Sequence, residues 1–260
     1  MSDVSPGCRV CGNPCHPLHE GDLLGKKINY FECSACGYVQ TEAPYWLGKA
    51  YSEAINACDT GIMVRNLLNA RIVLATLLVL GKLDGRVVDY AGGYGILVRL
   101  LRDYGVDAYW IDRYCQNELA RGFEYANDKA DLVTAFEAFE HFENPSEELE
   151  SMLNIAPNVL LSTELVATPA PAQKDWWYYG PDHGQHIGFF RVRTLQTLAK
   201  RYGKFLLTNG TSYHLFLEHP GRANMWKLGL KFNRLIPLLL RGRLISKTWP
   251  DHRLLSSRVR

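Results

Sequence analysis

The run Val87-Val88-Asp89-Tyr90-Ala91-Gly92-Gly93-Tyr94-Gly95 constrains this chain more than any other. VVDY reads as a buried strand, and the glycines after it read as a tight turn. The turn opens a helix, ILVRLLRDYG, which Gly105 closes as a C-terminal cap. A strand fed through such a turn into a helix needs parallel neighbours, and the chain supplies them. VDAYWID, DLVTAF and NVLLSTEL read as further strands, and SEELESMLNIA (with Ser146 as N-cap) and RVRTLQTLAKRYG as helices. KFLLT and SYHLFLEH read as a closing strand pair. Strands alternating with helices predict an α/β fold with a doubly wound, parallel sheet. Ligands of such sheets bind at the carboxyl ends of the strands.

Around this core the chain divides into four parts. Residues 1–45 are rich in Cys, Gly and Pro with little periodicity, and are expected to be loop-rich and stapled. Residues 46–84 form a helical linker or cap, with apolar residues at helical spacing from Tyr51 to Leu80 and a break near Asp59-Thr60-Gly61. Residues 85–221 hold the sheet, and residues 222–260 form a basic tail. No unbroken apolar run reaches the ~18–20 residues that span a bilayer. The N-terminus lacks a basic region followed by an apolar one, so a cytoplasmic location is expected. The net charge of +2 hides an asymmetry: the tail carries ten Lys/Arg and one Asp, the remainder 19 basic and 26 acidic residues. Peripheral membrane contact through the tail is one reading, and a C-terminal helix packed on the domain is the other. The acidic body argues against a broad nucleic-acid-binding face.

Cys8-x2-Cys11 and Cys33-x2-Cys36 are separated by 21 residues, and a glycine follows each pair directly. Such turns aim both sulfurs at one ion, and two of them make a tetrahedral four-thiolate site. Structural Zn2+ is expected there, with iron as the alternative metal. Cys15 reads as a stray fifth thiol, and Cys58 and Cys115 as buried small hydrophobes.

The glycine turn gains specificity from its acids. Asp89 ends the strand, and Asp112 ends the next one, 17 residues beyond Gly95. Asp-x-Ala-x-Gly-x-Gly with this second acid resembles motif I and the acidic second-strand position of class I S-adenosylmethionine-dependent methyltransferases. The resemblance implies a Rossmann-like methyltransferase domain over 85–221, with S-adenosylmethionine held by Asp89, Ala91, Gly92, Gly93, Gly95 and Asp112, and by Phe136 and Glu137. The first glycine usual in the family is Ala91 in this chain.

The DLVTAF strand runs into Glu137-x-x-Glu140-His141. This resembles the Glu-His after the fourth strand of sugar and surface-polysaccharide methyltransferases that carry an N-terminal zinc module. WWYYGPDHGQHIGFFRVRTL, with His183 and His186, resembles the same group. Two chemistries fit. Small-RNA terminal 2′-O-methyltransferases use a similar Glu-x-x-Glu-His with a later His to bind a divalent ion. By that likeness Glu137, Glu140, His141 and His186 would hold Mg2+ or another divalent ion and activate a hydroxyl. Without metal, His141 or His183 would be a general base. The two glutamates could instead bond local backbone amides. Trp177, Tyr178 and Tyr179 and the strand residue His214 are candidate substrate contacts; aromatics stack on sugars but also pack lids.

The expected function is methyl transfer to a sugar hydroxyl of a nucleotide sugar or surface glycan. Two alternatives stand beside it: C-methylation of a 4-keto deoxysugar nucleotide by a His base, and an RNA-binding or RNA-methylating module.

Overall fold

The computed structural model describes residues 6–50 and 59–258. Cys58 and most of the first half of the Tyr51–Leu80 helical stretch lie outside the described residues. The elements run β1 (Cys15–Leu23), β2 (Lys26–Cys33), β3 (Val39–Thr41), α1 (Leu47–Ala50), α2 (Ile62–Leu80), β4 (Arg86–Tyr90), α3 (Ile96–Asp103), β5 (Asp107–Ile111) and β6 (Leu132–Phe136). They continue with α4 (Pro145–Ile155), β7 (Val159–Ser162), β8 (Gly188–Phe189), α5 (Val192–Arg201), β9 (Phe205–Thr208), β10 (Tyr213–Leu217), α6 (Ala223–Lys231), α7 (Ile236–Leu239) and α8 (Thr248–Arg258). The central sheet has the order β5-β4-β6-β7-β10-β9 and its strands are mostly parallel, as the alternation of elements requires. β4 pairs in parallel with both β5 and β6, and β10 pairs antiparallel with β9.

The described residues form two compact units: 59–136, 152–160 and 220–258 in one, and 6–50, 137–151 and 161–219 in the other. In the first, β4 and β6 are almost wholly buried, which is why VVDY and LVTA do not alternate apolar with exposed polar residues, and their polar members Asp89 and Thr134 bond each other. Leu97, Val98 and Leu101 are the buried apolar stripe of α3. The helix α2 is long and apolar enough, by length and composition, to cross a membrane, although no unbroken apolar run was expected to be. Its stretch from Asn69 to Leu77 is buried except Arg71, and it packs against α3 and α6, as the central helix of a folded unit does. The basic tail is also docked here. Trp226 of α6 is fully buried and its indole N–H donates to Thr76 Oγ1 at 3.0 Å. Asp251 of α8 accepts from Arg102 at 2.7 and 2.8 Å and from Arg99 at 2.8 Å.

The second unit corrects two expectations. The cysteine region is not loop-rich, because β1 and β2 form a long antiparallel hairpin in register from Cys15↔Cys33 to Leu23↔Lys26. A register shift between Pro17 and His19 breaks the alternation that would have revealed it. Leu24 and Gly25 close the hairpin, both at positive φ (51° and 75°), the conformation that two-residue hairpin turns demand. The sheet β1-β2-β3-β8 then brings in residues 188–189, far along the chain. The Arg191 guanidinium ties the same region together by bonding the Glu32 carboxylate and the carbonyls of Gly37 and Ala167. The second correction concerns Ser146. It lies inside α4, which begins at Pro145, where a missing N–H costs nothing. The Ser146 hydroxyl instead meets the Tyr202 hydroxyl at 2.8 Å.

Candidate active site

The glycine turn is a set of close approaches. A Cβ on Gly92 would stand 2.7 Å from Trp110 Cδ1 and 3.0 Å from Asp89 Oδ2. On Gly95, at φ 82°, it would stand 2.7 Å from Asn117 Oδ1. Trp110 seals the turn by donating its indole N–H to the Gly93 carbonyl at 2.8 Å. Ala91 sits at φ 59°, in the left-handed region that favours glycine, so the departure from the family pattern carries local strain.

The two acids of this region are held differently. Asp89 is buried behind the turn and accepts from Thr134 Oγ1 at 2.7 Å. Burial pushes its carboxyl up to about 7, with the nearby Asp112 charge adding to the shift and the Thr134 bond opposing it. Asp112 is half-buried. Its Oδ2 accepts from the Gly93 amide at 2.9 Å, and its Oδ1 from the amides of Tyr114 and Cys115 at 2.7 and 2.8 Å. A carboxylate has further lone pairs, so Asp112 retains capacity for hydroxyl donors. Phe136, at the end of β6, is half-buried.

In the other unit the 3₁₀ turn Phe139–His141 and the loop before β8 bring Glu140, His141 and His186 together. One ligand atom from each lies within 4.8 Å of the others. Glu140 is fully buried and neither carboxylate oxygen has a well-formed hydrogen bond. Burial, then the Glu137 charge, pushes its carboxyl up to about 8. His141 Nδ1 lies 3.1 Å from the Gln185 carbonyl, and His186 Nδ1 lies 2.5 Å from the Tyr178 carbonyl. A nitrogen facing a carbonyl carries the proton, so each ring has its lone pair on Nε2, as a metal-ligating histidine does. Burial drives His141 down to about 4 and His186 well below its ordinary value, keeping both neutral. An orphaned buried carboxylate beside two neutral imidazoles is a donor set that fits a divalent cation.

The other predicted members lie outside this three-residue set, although the His183 ring meets the His186 ring edge-on with centroids 4.7 Å apart. Glu137 stands at φ 50° and is locked to Ser162, whose Oγ accepts from the Glu137 amide at 2.9 Å and donates to its Oε1 at 2.5 Å. His183 Nδ1 accepts from the Gln185 amide at 3.1 Å, which leaves the proton on Nε2. His214 is fully buried rather than turned to a cleft: its Nδ1 meets Thr208 Oγ1 at 2.8 Å and its Nε2 meets the Thr163 carbonyl at 3.1 Å. Tyr178 and Tyr179 are buried in an apolar cluster with Tyr30, Val39, Val166 and Phe189, whereas Trp177 is exposed. Two residues were missed, Ser162 and Glu164, whose carboxyl is pushed up by burial and by the Glu137 charge. They lie at the carboxyl end of β7, where the rule applied to β4 and β6 would have found them.

The four cysteines converge as spaced. Cys8 and Cys36 sulfurs are 3.6 Å apart and Cys11 and Cys33 sulfurs 3.5 Å, and the four lie within 4.8 Å of one another. Tetrahedral coordination with bonds of ~2.3 Å puts sulfurs about 3.8 Å apart, so the set fits zinc. Cys15 is buried beside it but is not a member.

Comparison with known proteins agrees with the turn. A methyltransferase-domain family matches residues 63–206. No curated protein matches the chain. Among solved structures, the chain is similar to magnesium protoporphyrin IX methyltransferase from Synechocystis with bound SAH, at 16% identity and TM-score 0.45 over 65% of this chain and 90% of that one. It is also similar to an O-methyltransferase family protein from Burkholderia thailandensis, at 16% identity and TM-score 0.46 over 62% of this chain and 58% of that one. The family match covers more than half of the sequence, and the chain therefore belongs to the methyltransferase-domain family, as an S-adenosylmethionine-dependent enzyme.

Proposed function

We propose that this enzyme O-methylates a sugar hydroxyl, on a nucleotide sugar or a surface glycan, and that Glu140, His141 and His186 hold a divalent cation for that reaction. The observation that carries this reading is the Glu140 carboxylate, buried and unsatisfied beside two imidazoles whose Nδ1 protons are pinned by backbone carbonyls. When bound, such a cation lowers the pKa of a coordinated hydroxyl and orients it. With two nitrogen donors the set suits Mn2+, Co2+ or Zn2+ better than Mg2+. The methyl passes from the sulfonium of S-adenosylmethionine to the acceptor oxygen. The glycine turn and Asp112 hold the donor, and Asp89 props the turn from behind. Ser162 fixes Glu137 beside the cation ligands, and Glu137 with Glu164 would accept hydrogen bonds from neighbouring sugar hydroxyls. The four cysteines hold structural zinc and do no chemistry.

C-methylation by a histidine base fits less well, because a ring pushed down to about 4, as His141 is, is a weak base. The test is methyl transfer to a panel of nucleotide sugars, with and without added Mn2+, after a chelation that leaves the zinc in place. Glu140→Ala is expected to cost about 100-fold or more in kcat with S-adenosylmethionine affinity unchanged. Activity that survives both chelation and this substitution sinks the metal reading, and no transfer to any sugar while another acceptor class is methylated sinks the sugar reading.

A further inference from the structure

The tail has two apolar faces, and only one is used. From α6 to α7 the buried residues are Trp226, Ile236 and Leu240, and the segment packs on α2. On the other side Met225, Leu228, Phe232, Leu235 and Leu239 are exposed. Met225 and Leu228 lie on α6, Phe232 and Leu235 at the 3₁₀ turn that links it to α7, and Leu239 on α7, so exposed apolar side chains run through the whole segment. Leu238 and Leu239 are 65% and 68% exposed. Scattered exposed leucines are ordinary, but a continuous stripe is not.

The cations follow the stripe. Lys227, Lys231 and Arg234 recur at spacings of four and three beside it, and Arg241 and Arg243 come just after it; all five are exposed. Among the described residues of 222–258, nine are Lys or Arg, and the one acid, Asp251, is buried and paired with Arg99 and Arg102. No negative side chain of this segment offsets its surface charge.

We propose that the exposed face of residues 225–241 docks on an anionic lipid bilayer, its leucines and Phe232 entering the headgroup boundary while Lys227, Lys231 and Arg234 meet lipid phosphates. An apolar helix face flanked by Lys and Arg is the pattern of helices that lie in the plane of a membrane. Charge argues against a second copy of the chain, because an isologous contact would press like-charged segments together. It argues less well for nucleic acid, whose interfaces are polar and leave an apolar stripe without a partner. Cores of protein interfaces are poor in lysine.

Co-sedimentation of the full chain with vesicles tests this. Binding is expected to mixed phosphatidylglycerol/phosphatidylcholine vesicles and not to pure phosphatidylcholine, and to weaken as salt rises. Replacing Lys227, Lys231 and Arg234 by Gln is expected to weaken binding about a hundredfold, at roughly fivefold per cation. Leu238→Asp with Leu239→Asp is expected to cost at least about tenfold, with near-ultraviolet dichroism and S-adenosylmethionine binding unchanged. Failure to sediment with phosphatidylglycerol vesicles overturns the proposal, as does undiminished binding by the Asp variant. A dimer in velocity sedimentation that the Asp variant dissociates assigns the face to a second copy and likewise overturns it. Tighter binding to single-stranded RNA than to vesicles, lost in the Gln variant, does the same.

Discussion

Single residues in the donor turn carry costs that can be measured. Ala91 pays for a left-handed conformation that glycine adopts freely, so Ala91→Gly is expected to stabilise the protein by about 1 kcal/mol, read from the urea midpoint. Asp89 has a pH signature. Its carboxyl is raised to about 7 in the folded protein against an ordinary 3.8. Between those values the unfolded chain loses its proton first, so this group's contribution to stability is complete below about pH 4 and falls as pH rises to about 7. The span corresponds to roughly 4 kcal/mol as an upper bound. Asp89→Asn is expected to flatten that slope in urea unfolding across the range; an unchanged slope would show that Asp89 ionises normally. Both residues were expected from the sequence to be cofactor contacts. That Asp89 works from behind the turn was not legible, because its burial and its bond to Thr134 arise from a neighbouring strand.

At the scale of elements, the docking of α8 rests on a compact ion cluster. Asp251 is buried, and although burial works against the charge, the Arg102 and Arg99 guanidiniums hold its carboxyl below the ordinary range. Asp251→Ala would leave Arg102 buried without its main partner, and is expected to cost about 3–5 kcal/mol in thermal or urea unfolding. Loss of under about 1 kcal/mol would mean that α8 is held by other contacts. The acid itself was visible as the single Asp of a basic tail, but nothing near it in sequence names arginines about 150 positions earlier. A C-terminal helix packed on the domain was one of two readings of the tail; that the tail forms α6, α7 and α8, and that α6 and α7 bury one apolar face and expose another, was not legible.

At the scale of the molecule, Cys33 of the four-cysteine set ends β2, in the sheet that also holds residues 188–189, so the metal is expected to stabilise more than its own turns. Stripping it, or Cys33→Ser, is expected to raise amide hydrogen exchange in β1, β2, β3 and β8 together. Exchange that rises only in residues 6–14 would show that the hairpin stands without the metal. Charge is partitioned on the same scale, with an acidic body and a basic tail whose one acid is consumed internally.

The sequence alone determined the features written in adjacent residues. Strand, glycine turn and helix around Asp89, the paired Cys-x2-Cys turns, and the alternation of elements all depend on local spacing, and local spacing survives in a linear text. It did not separate Glu137 from Glu140, or His183 from His186, since each pair has the same chemistry only three residues apart. Tertiary structure made those choices. Ser162 holds the Glu137 carboxylate, and the carbonyls of Tyr178 and Gln185 set the tautomers of His186 and His141. Burial leaves the Glu140 carboxylate oxygens without a well-formed hydrogen bond. The groups that decide are brought in by the fold, and the strength of what they do comes from the exclusion of water, which no spacing of residues records.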